Sequence, residues 1–353
     1  MDTLIPIGPD RFDPEAMPVA ALVHNERNIV GAFLDHYRAI CRPTFVIVDD
    51  RSTDGTREFL LEQPDVTLLS PRDGSTYGAD KAAWRGEPLD RYCAGRWAIV
   101  PDIDEHLIYP RMEERSLDAY IAALESEGAE AVVTLMIDMY ADEPLADHVF
   151  EPDVEPSLVQ RFPLFDGQGP LPHGYMLRRV RRDRAYPTPP VRQSGGMQDR
   201  LFAQPFAGLP TWRLRLLDRF SGPDQPIHPG AMRRLGQRLA ERRLPKGPNR
   251  TKLGLVKWRA GMRFGGGAHR LDTEIPVSES IAAFLHFVFT RGRAGLEYYV
   301  ARGQHTNGAE GYQSVLDNRA AMENSPAIAS SRRYEGSRSL DGMIRDVPAD
   351  RRP

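Results

Sequence analysis

Two hydrophobic patterns alternate along the first 140 positions. Short unbroken apolar runs at 19–23, 44–48, 66–69, 97–100 and 131–137 predict buried strands. Between them, apolar residues recur at helical spacing. Ile29, Phe33, Tyr37 and Ile40 mark a helix over 26–40, and further helices are expected near 55–63, 78–94 and 116–127, the last stopped by Gly128. From 141 to 196 the pattern loosens and proline becomes frequent, which predicts long irregular connections. Gly195-Gly196 then turns the chain into a short helix near 197–202. The Pro-, Gly- and Arg-rich stretch 222–250 is expected to be a mobile loop. The apolar run 278–290, with Ser278 as N-cap, predicts a helix carrying His286. The last 25 residues are polar and Arg-rich and are expected to fray. Trp84, Trp97 and Trp258 are predicted core residues, while Trp212 is a candidate stacking platform.

Strand, helix, strand at this spacing predicts a mostly parallel α/β sheet flanked by helices. Such sheets bind ligands beyond the carboxyl ends of their strands. Those ends carry His24-Asn25-Glu26, Asp49-Asp50, Asp102-Ile103-Asp104-Glu105 and Asp138, so several carboxylates are expected on one rim. Crowded carboxylates repel, and a divalent cation relieves the repulsion. Asp102 and Asp104, set at a turn after a buried strand, are the sharpest candidates to hold Mg²⁺ or Mn²⁺. Asp49 and Asp50 can accept hydrogen bonds from a nucleobase or from ribose hydroxyls. His269, in a Gly-rich loop, and His286 are candidates to complete a metal shell or to meet a pyrophosphate.

Charge changes this picture more than composition does. The 353 residues sum to −3, but residues 1–175 hold 14 basic and 33 acidic side chains and residues 176–353 hold 32 and 16. The halves are therefore −19 and +16, and 42 of the 46 basic residues are Arg. That asymmetry predicts two different jobs. The basic half also offers a surface for an anionic partner. Two cysteines, Cys41 and Cys93, exclude a disulfide framework and a four-cysteine zinc site. No apolar run is long enough for a membrane span, and the N-terminal stretch does not read as a signal peptide. A cytoplasmic protein is expected, with peripheral contact at the inner membrane as an option.

Three segments carry a family resemblance: Leu22-Val-His-Asn-Glu26, Val48-Asp-Asp-Arg-Ser-Thr-Asp-Gly-Thr56, and Trp97-Ala-Ile-Val-Pro-Asp-Ile-Asp-Glu-His-Leu107. They resemble bacterial family 2 glycosyltransferases of the GT-A fold. Asp138-Met-Tyr140, Gly195-Gly-Met-Gln-Asp-Arg-Leu-Phe202, Lys252-Leu-Gly-Leu-Val-Lys-Trp258, Gly267-Ala-His269 and Leu285-His-Phe287 are similar to a family 2-like subgroup. The resemblance covers about 18–300. It implies a GT-A-like, Rossmann-like domain there, divided into a nucleotide and metal half (18–140) and an acceptor half (141–300). Residues 1–17 would be an N-terminal extension and 301–353 an irregular, Arg-rich C-terminal one. It also implies an inverting transfer, in polysaccharide biosynthesis, from a UDP- or GDP-sugar to a glycan or lipid-linked acceptor. His24, Asn25, Glu26, Asp49, Asp50 and Asp102 would contact the nucleotide, and Asp102 and Asp104 a bound Mn²⁺ or Mg²⁺. Asp199 would be the catalytic base, with Asp138 and Glu105 as rivals.

Other readings fit less well. A dinucleotide dehydrogenase needs G-x-G-x-x-G after the first strand, where this chain has His24-Asn-Glu-Arg-Asn28. A sugar nucleotidyltransferase needs a Gly-rich basic loop there. A non-catalytic protein binding nucleic acid or an anionic surface through the basic half is the alternative from another class. That half lacks a recognised nucleic-acid module, so no nucleic-acid partner is expected.

Overall fold

A computed structural model describes residues 3–167, 175–180, 184–204, 206–222, 224–244, 249–265, 267–304 and 309–348. The acidic half begins with β1 (Leu4–Pro6), β2 (Met17–Val23), α1 (Arg27–Ile40), β3 (Pro43–Asp49), α2 (Thr56–Glu62), β4 (Val66–Pro71), α3 (Tyr77–Tyr92) and β5 (Trp97–Ile99). It continues through β6 (Glu105–Ile108), α4 (Leu117–Ser126), β7 (Ala131–Tyr140), α5 (Leu158–Arg161) and β8 (Leu164–Asp166). Then follow β9 (Met176–Arg179), β10 (Val191–Ser194), α6 (Thr211–Ser221), α7 (Ala231–Ala240), β11 (Thr251–Lys257) and β12 (Val277–His286). The described chain closes with α8 (Gly292–Arg302), α9 (Glu310–Asp317), α10 (Arg319–Glu323) and β13 (Ser331–Arg333).

The central sheet runs β1-β4-β3-β2-β5-β11-β7-β12-β6, with β8 joined to β7 and β13 to β8. It is parallel through β4-β3-β2-β5 and again between β7 and β12. β11 lies antiparallel between β5 and β7, so the parallel run is interrupted where the two halves of the chain interleave. The apolar strands are buried on both faces. On β3, Phe45 and Ile47 join the cluster with Val30 and Phe33 of α1, while Val46 and Val48 join Trp84 of α3 on the other face. Two covered faces explain why such strands read as continuous apolar runs and not as alternation.

Three expectations are overturned. The run 278–290 is not a helix: it contributes β12, fully buried and paired on both edges. A short apolar run flanked by neighbours on both faces has no periodicity that separates strand from helix. The stretch 222–250 is not simply a loop, since it contains α7, packed against α6 through Phe220 over Gly236. The C-terminal segment is not frayed through 348. β13 pairs with β8, Arg345 bridges Ile281 of β12, and Leu340, Met343 and Val347 are buried in the main core. Trp84, Trp97 and Trp258 are buried as expected. Among the described residues, no helix is long and apolar enough to cross a membrane.

Candidate active site

The register of β12 builds the centre of the site. Its last residue, His286, stands opposite Glu105 of β6 on one side and Asp138 of β7 on the other. Asp104 immediately precedes β6, and its carbonyl accepts from Phe287 N at 2.9 Å. Ligand atoms of Asp104, Glu105 and His286 consequently lie within 4.8 Å of one another. His286 Nδ1 is 2.8 Å from Asp138 Oδ1, and Nε2 is 3.5 Å from Asp104 Oδ2. Burial opposes a charged imidazole, but the two flanking carboxylates raise its pKa to about 10. Asp104 and Asp138 thus flank the ring and favour its protonated form.

Asp102 and Glu105 share a second cation. Lys252 Nζ of β11 is 2.8 Å from Glu105 Oε2, 2.7 Å from Oε1, and paired with Asp102. Arg85 of α3 pairs with the other Asp102 oxygen. Burial works against the charge on Asp102, yet Arg85 and Lys252 hold its carboxyl well below the usual range. Burial pushes Glu105 up to about 7, against the pull of Lys252. Glu105 Oε2 also accepts from Asp102 N at 2.7 Å, which fixes the turn between β5 and β6.

The ends of β2 and β3 form the adjoining wall. His24 Nδ1 is 2.6 Å from the Asp50 carbonyl and Nε2 is 2.6 Å from Tyr298 Oη. Asn25 adopts φ 52°, a left-handed conformation that asparagine tolerates. Its backbone donates to Ser52 Oγ at 2.8 Å and its side-chain oxygen accepts from Thr53 N at 2.7 Å. Glu26 accepts from Tyr299 and faces Arg291 at 3.4 Å. Burial raises it to about 7 in spite of Arg291. Asp50 pairs with Arg51 at 2.9 Å and with Arg302. A cavity of about 190 Å³ opens between these groups. His24, Glu26, Asp50, Asp102, Asp104 and His286 line it, together with Tyr77, Tyr299, Arg302 and Tyr312.

Other expected site residues lie outside that lining. Asp49, the last residue of β3, is buried and held by Arg57 Nε at 2.6 Å and by Ser52 N at 3.1 Å. His269 is not brought to the metal-capable trio. Its Nδ1 is 2.8 Å from the Thr251 carbonyl, and burial beside Lys252 lowers it to about 4. Asp102 lines the cavity, but both its oxygens are committed to Arg85 and Lys252, which displaces it from the expected metal shell. Asp138 accepts from Gln198 N at 3.1 Å and Gln198 Nε2 at 2.7 Å. Asp199, the next residue, accepts from Gly195 N at 2.7 Å, faces Arg250 at 3.5 Å, and is raised by burial.

Lys252, Arg302 and the tyrosines lining the cavity carry no motif in the sequence that marks them for the site. Lys252 had one signal, since it is one of four lysines in an Arg-dominated chain and lies in an apolar run. Tyr299 and Arg302 sit three apart on α8, hence on one helical face, but nothing local ties that face to β2 and β3. The chain matches no family model, and no curated protein matches it.

Proposed function

We propose that this protein is a divalent-metal-dependent glycosyltransferase of GT-A type. It transfers a sugar with inversion from a nucleoside-diphosphate sugar, a UDP- or GDP-sugar, to a hydroxyl of a glycan or lipid-linked acceptor. The observation that carries this reading is the single cavity shared by the β2 and β3 ends and the Asp104–Glu105–His286 trio. The trio fits a cation by its donor set, two carboxylates and one imidazole whose ligand atoms lie within 4.8 Å of one another. Two oxygens and one nitrogen suit Mn²⁺ better than the all-oxygen preference of Mg²⁺. Asp138 would orient the ring through Nδ1–H and leave Nε2 as ligand, the usual carboxylate–histidine support. When bound, such an ion neutralises charge on a departing diphosphate.

The chain's own groups account for the rest of the reading. Glu26 and Asp50 offer acceptors for nucleobase and ribose donors, and Asn25 and His24 fix the β2 turn that presents them. Arg302 supplies a cation over the cavity for the diphosphate. Transfer forms the bond from acceptor oxygen to the anomeric carbon, breaks the bond from that carbon to the diphosphate oxygen, and sends the acceptor proton to a base. Asp199 takes the base role here. Its raised carboxyl suits proton uptake, and Gln198 links it to the Asp138–His286 pair. A thermal-shift series tests the assignment. UDP or GDP with Mn²⁺ should raise the melting temperature of the wild type by mass action, and Asp104→Ala should lose the Mn²⁺-dependent part. Asp199→Asn should keep the donor shift but lose transfer by about 100-fold or more. No shift with any nucleoside diphosphate or its sugar would defeat the reading.

A further inference from the structure

The α6–α7 hairpin takes no part in the proposed site. Its inner face is well packed, with Leu217 and Ala240 buried against Met176 and Phe206. Gln237 and Ala240 mark the buried side of α7. Met232, Leu235 and Leu239 fall at i, i+3 and i+7, on the opposite side, where a helix of a soluble protein is normally polar. They are 81%, 51% and 60% exposed, and Trp212 at the start of α6 is 67% exposed. These are four of the six large apolar side chains exposed among the described residues. They lie close in sequence to Arg215, Arg219, Arg233, Arg234, Arg238, Arg242 and Arg243, all exposed.

Along α7, lined by Gln237 among others, lies a cavity of about 1230 Å³ whose charged lining is Arg179, Arg234, Arg238 and Arg270 with Glu241 and Glu274. The guanidinium groups outnumber the carboxylates two to one. Arg179 Nη1 is buried without a hydrogen-bond partner. Burial disfavours the charge on Arg179, and repulsion from Arg234 and Arg238 adds to this against the pull of Glu241. An anion in this recess relieves that repulsion.

We infer that the α6–α7 hairpin is a docking surface for an anionic lipid bilayer, with the Met232–Leu235–Leu239 stripe and Trp212 entering the acyl boundary and the Arg-lined recess receiving headgroup phosphate. An amphipathic helix with cations beside an apolar stripe binds the interface by both terms. A nucleic acid would satisfy the arginines but give no burial to four apolar side chains. The inference is independent of the glycosyltransfer reading.

Co-sedimentation of the full chain with phosphatidylcholine vesicles, alone or mixed with phosphatidylglycerol, tests it. The wild type should pellet with the mixed vesicles, less so at high salt. The triple variant Met232→Ser/Leu235→Ser/Leu239→Ser should partition about tenfold more weakly or worse. Arg234→Ala/Arg238→Ala should reduce the preference for anionic vesicles. All five side chains are exposed, and unchanged circular dichroism and melting temperature would show that the variants remain folded. Equal binding to both vesicle types, or undiminished binding by the triple variant, would overturn the inference. So would retention of single-stranded DNA by wild type and triple variant alike while vesicles are ignored.

Discussion

At the scale of single residues, the titratable groups were easier to find in the sequence than to assign. Acidic residues at strand ends announce a polar rim, because burying them elsewhere is costly. What the sequence cannot show is which cation each one meets. Lys252 neutralises Asp102 and Glu105 from a strand 147 residues beyond Glu105, so Asp102 reads as a metal ligand until that partner is seen. His148 is a case where the environment dictates an outcome. Its side chain is buried against Phe162, and Nε2 lies 3.2 Å from Ala141 N, whose N–H it accepts. Burial pushes it down to about 4, in spite of the Ala141 carbonyl, Glu143 and Asp147, and Arg161 adds to the fall. The unfolded chain binds this proton near pH 6.5, whereas the folded chain does so only near 4. The stabilisation is therefore complete above pH 6.5 and is lost as pH falls toward 4, by roughly 3 kcal/mol over that window. The urea midpoint of the wild type should fall relative to that of His148→Phe as pH is lowered from 7.5 to 4. Parallel curves would show that His148 does not titrate in that range.

Among the elements, the βαβ units at the start were legible because helical and strand periods alternate cleanly there. β12 was not, and the reason is physical. With β6 and β7 on its edges and apolar layers on both faces, every position from Val277 to His286 is buried, so no polar side marks the period. The error had consequences, since only the strand register explains how His286 reaches both Asp104 and Asp138. α7 was hidden for the converse reason, its Arg-rich outer side resembling a loop. β11 shows how tightly these strands are fitted. Gly254 donates to Thr134 Oγ1 at 3.0 Å, and its carbonyl accepts from Val100 N at 2.9 Å. A Cβ placed there would stand 2.4 Å from Phe284 Cζ and 2.8 Å from Thr134 Cγ2. Both neighbours are buried on β12 and β7 and have little room to move. Gly254→Ala should therefore cost about 1–3 kcal/mol from overpacking, seen as a lower urea midpoint. Phe284→Leu in the same background should recover part of it by removing the ring. An unchanged midpoint in Gly254→Ala would mean that the ring shifts freely.

For the whole molecule, the charge split has a different meaning from two separate bodies. β11 and β12, from the basic half, insert beside β5 and β7, and Arg291, Arg302 and Lys252 meet Glu26, Asp50 and Glu105. The acidic rim is thus neutralised from the other half of the same chain. The C-terminal segment continues this interleaving, although its polar composition alone suggests fraying. Its few apolar residues are the ones that count: Leu340, Met343, Ile344 and Val347 are all buried in the main core. Burying each is worth about 1.5–3 kcal/mol, so four together contribute roughly 6–12 kcal/mol as an upper bound. That is comparable to the whole stability of a typical domain, about 5–15 kcal/mol. Arg345 adds hydrogen bonds to Glu279 and Gln225 carbonyls at 2.6 and 2.7 Å, and Arg115 pairs with Asp346 at 2.9 Å. A chain ended after Ser330 loses β13 as well as these contacts. It should fail to give a cooperative melt or should accumulate insoluble, whereas a chain ended after Pro348 should melt as the full protein does. The comparison separates packing from mere length, because the longer truncation keeps all four apolar side chains. A cooperative melt of the 330-residue chain within a few degrees of the full protein would show that the C-terminal segment rests on the core without helping to hold it.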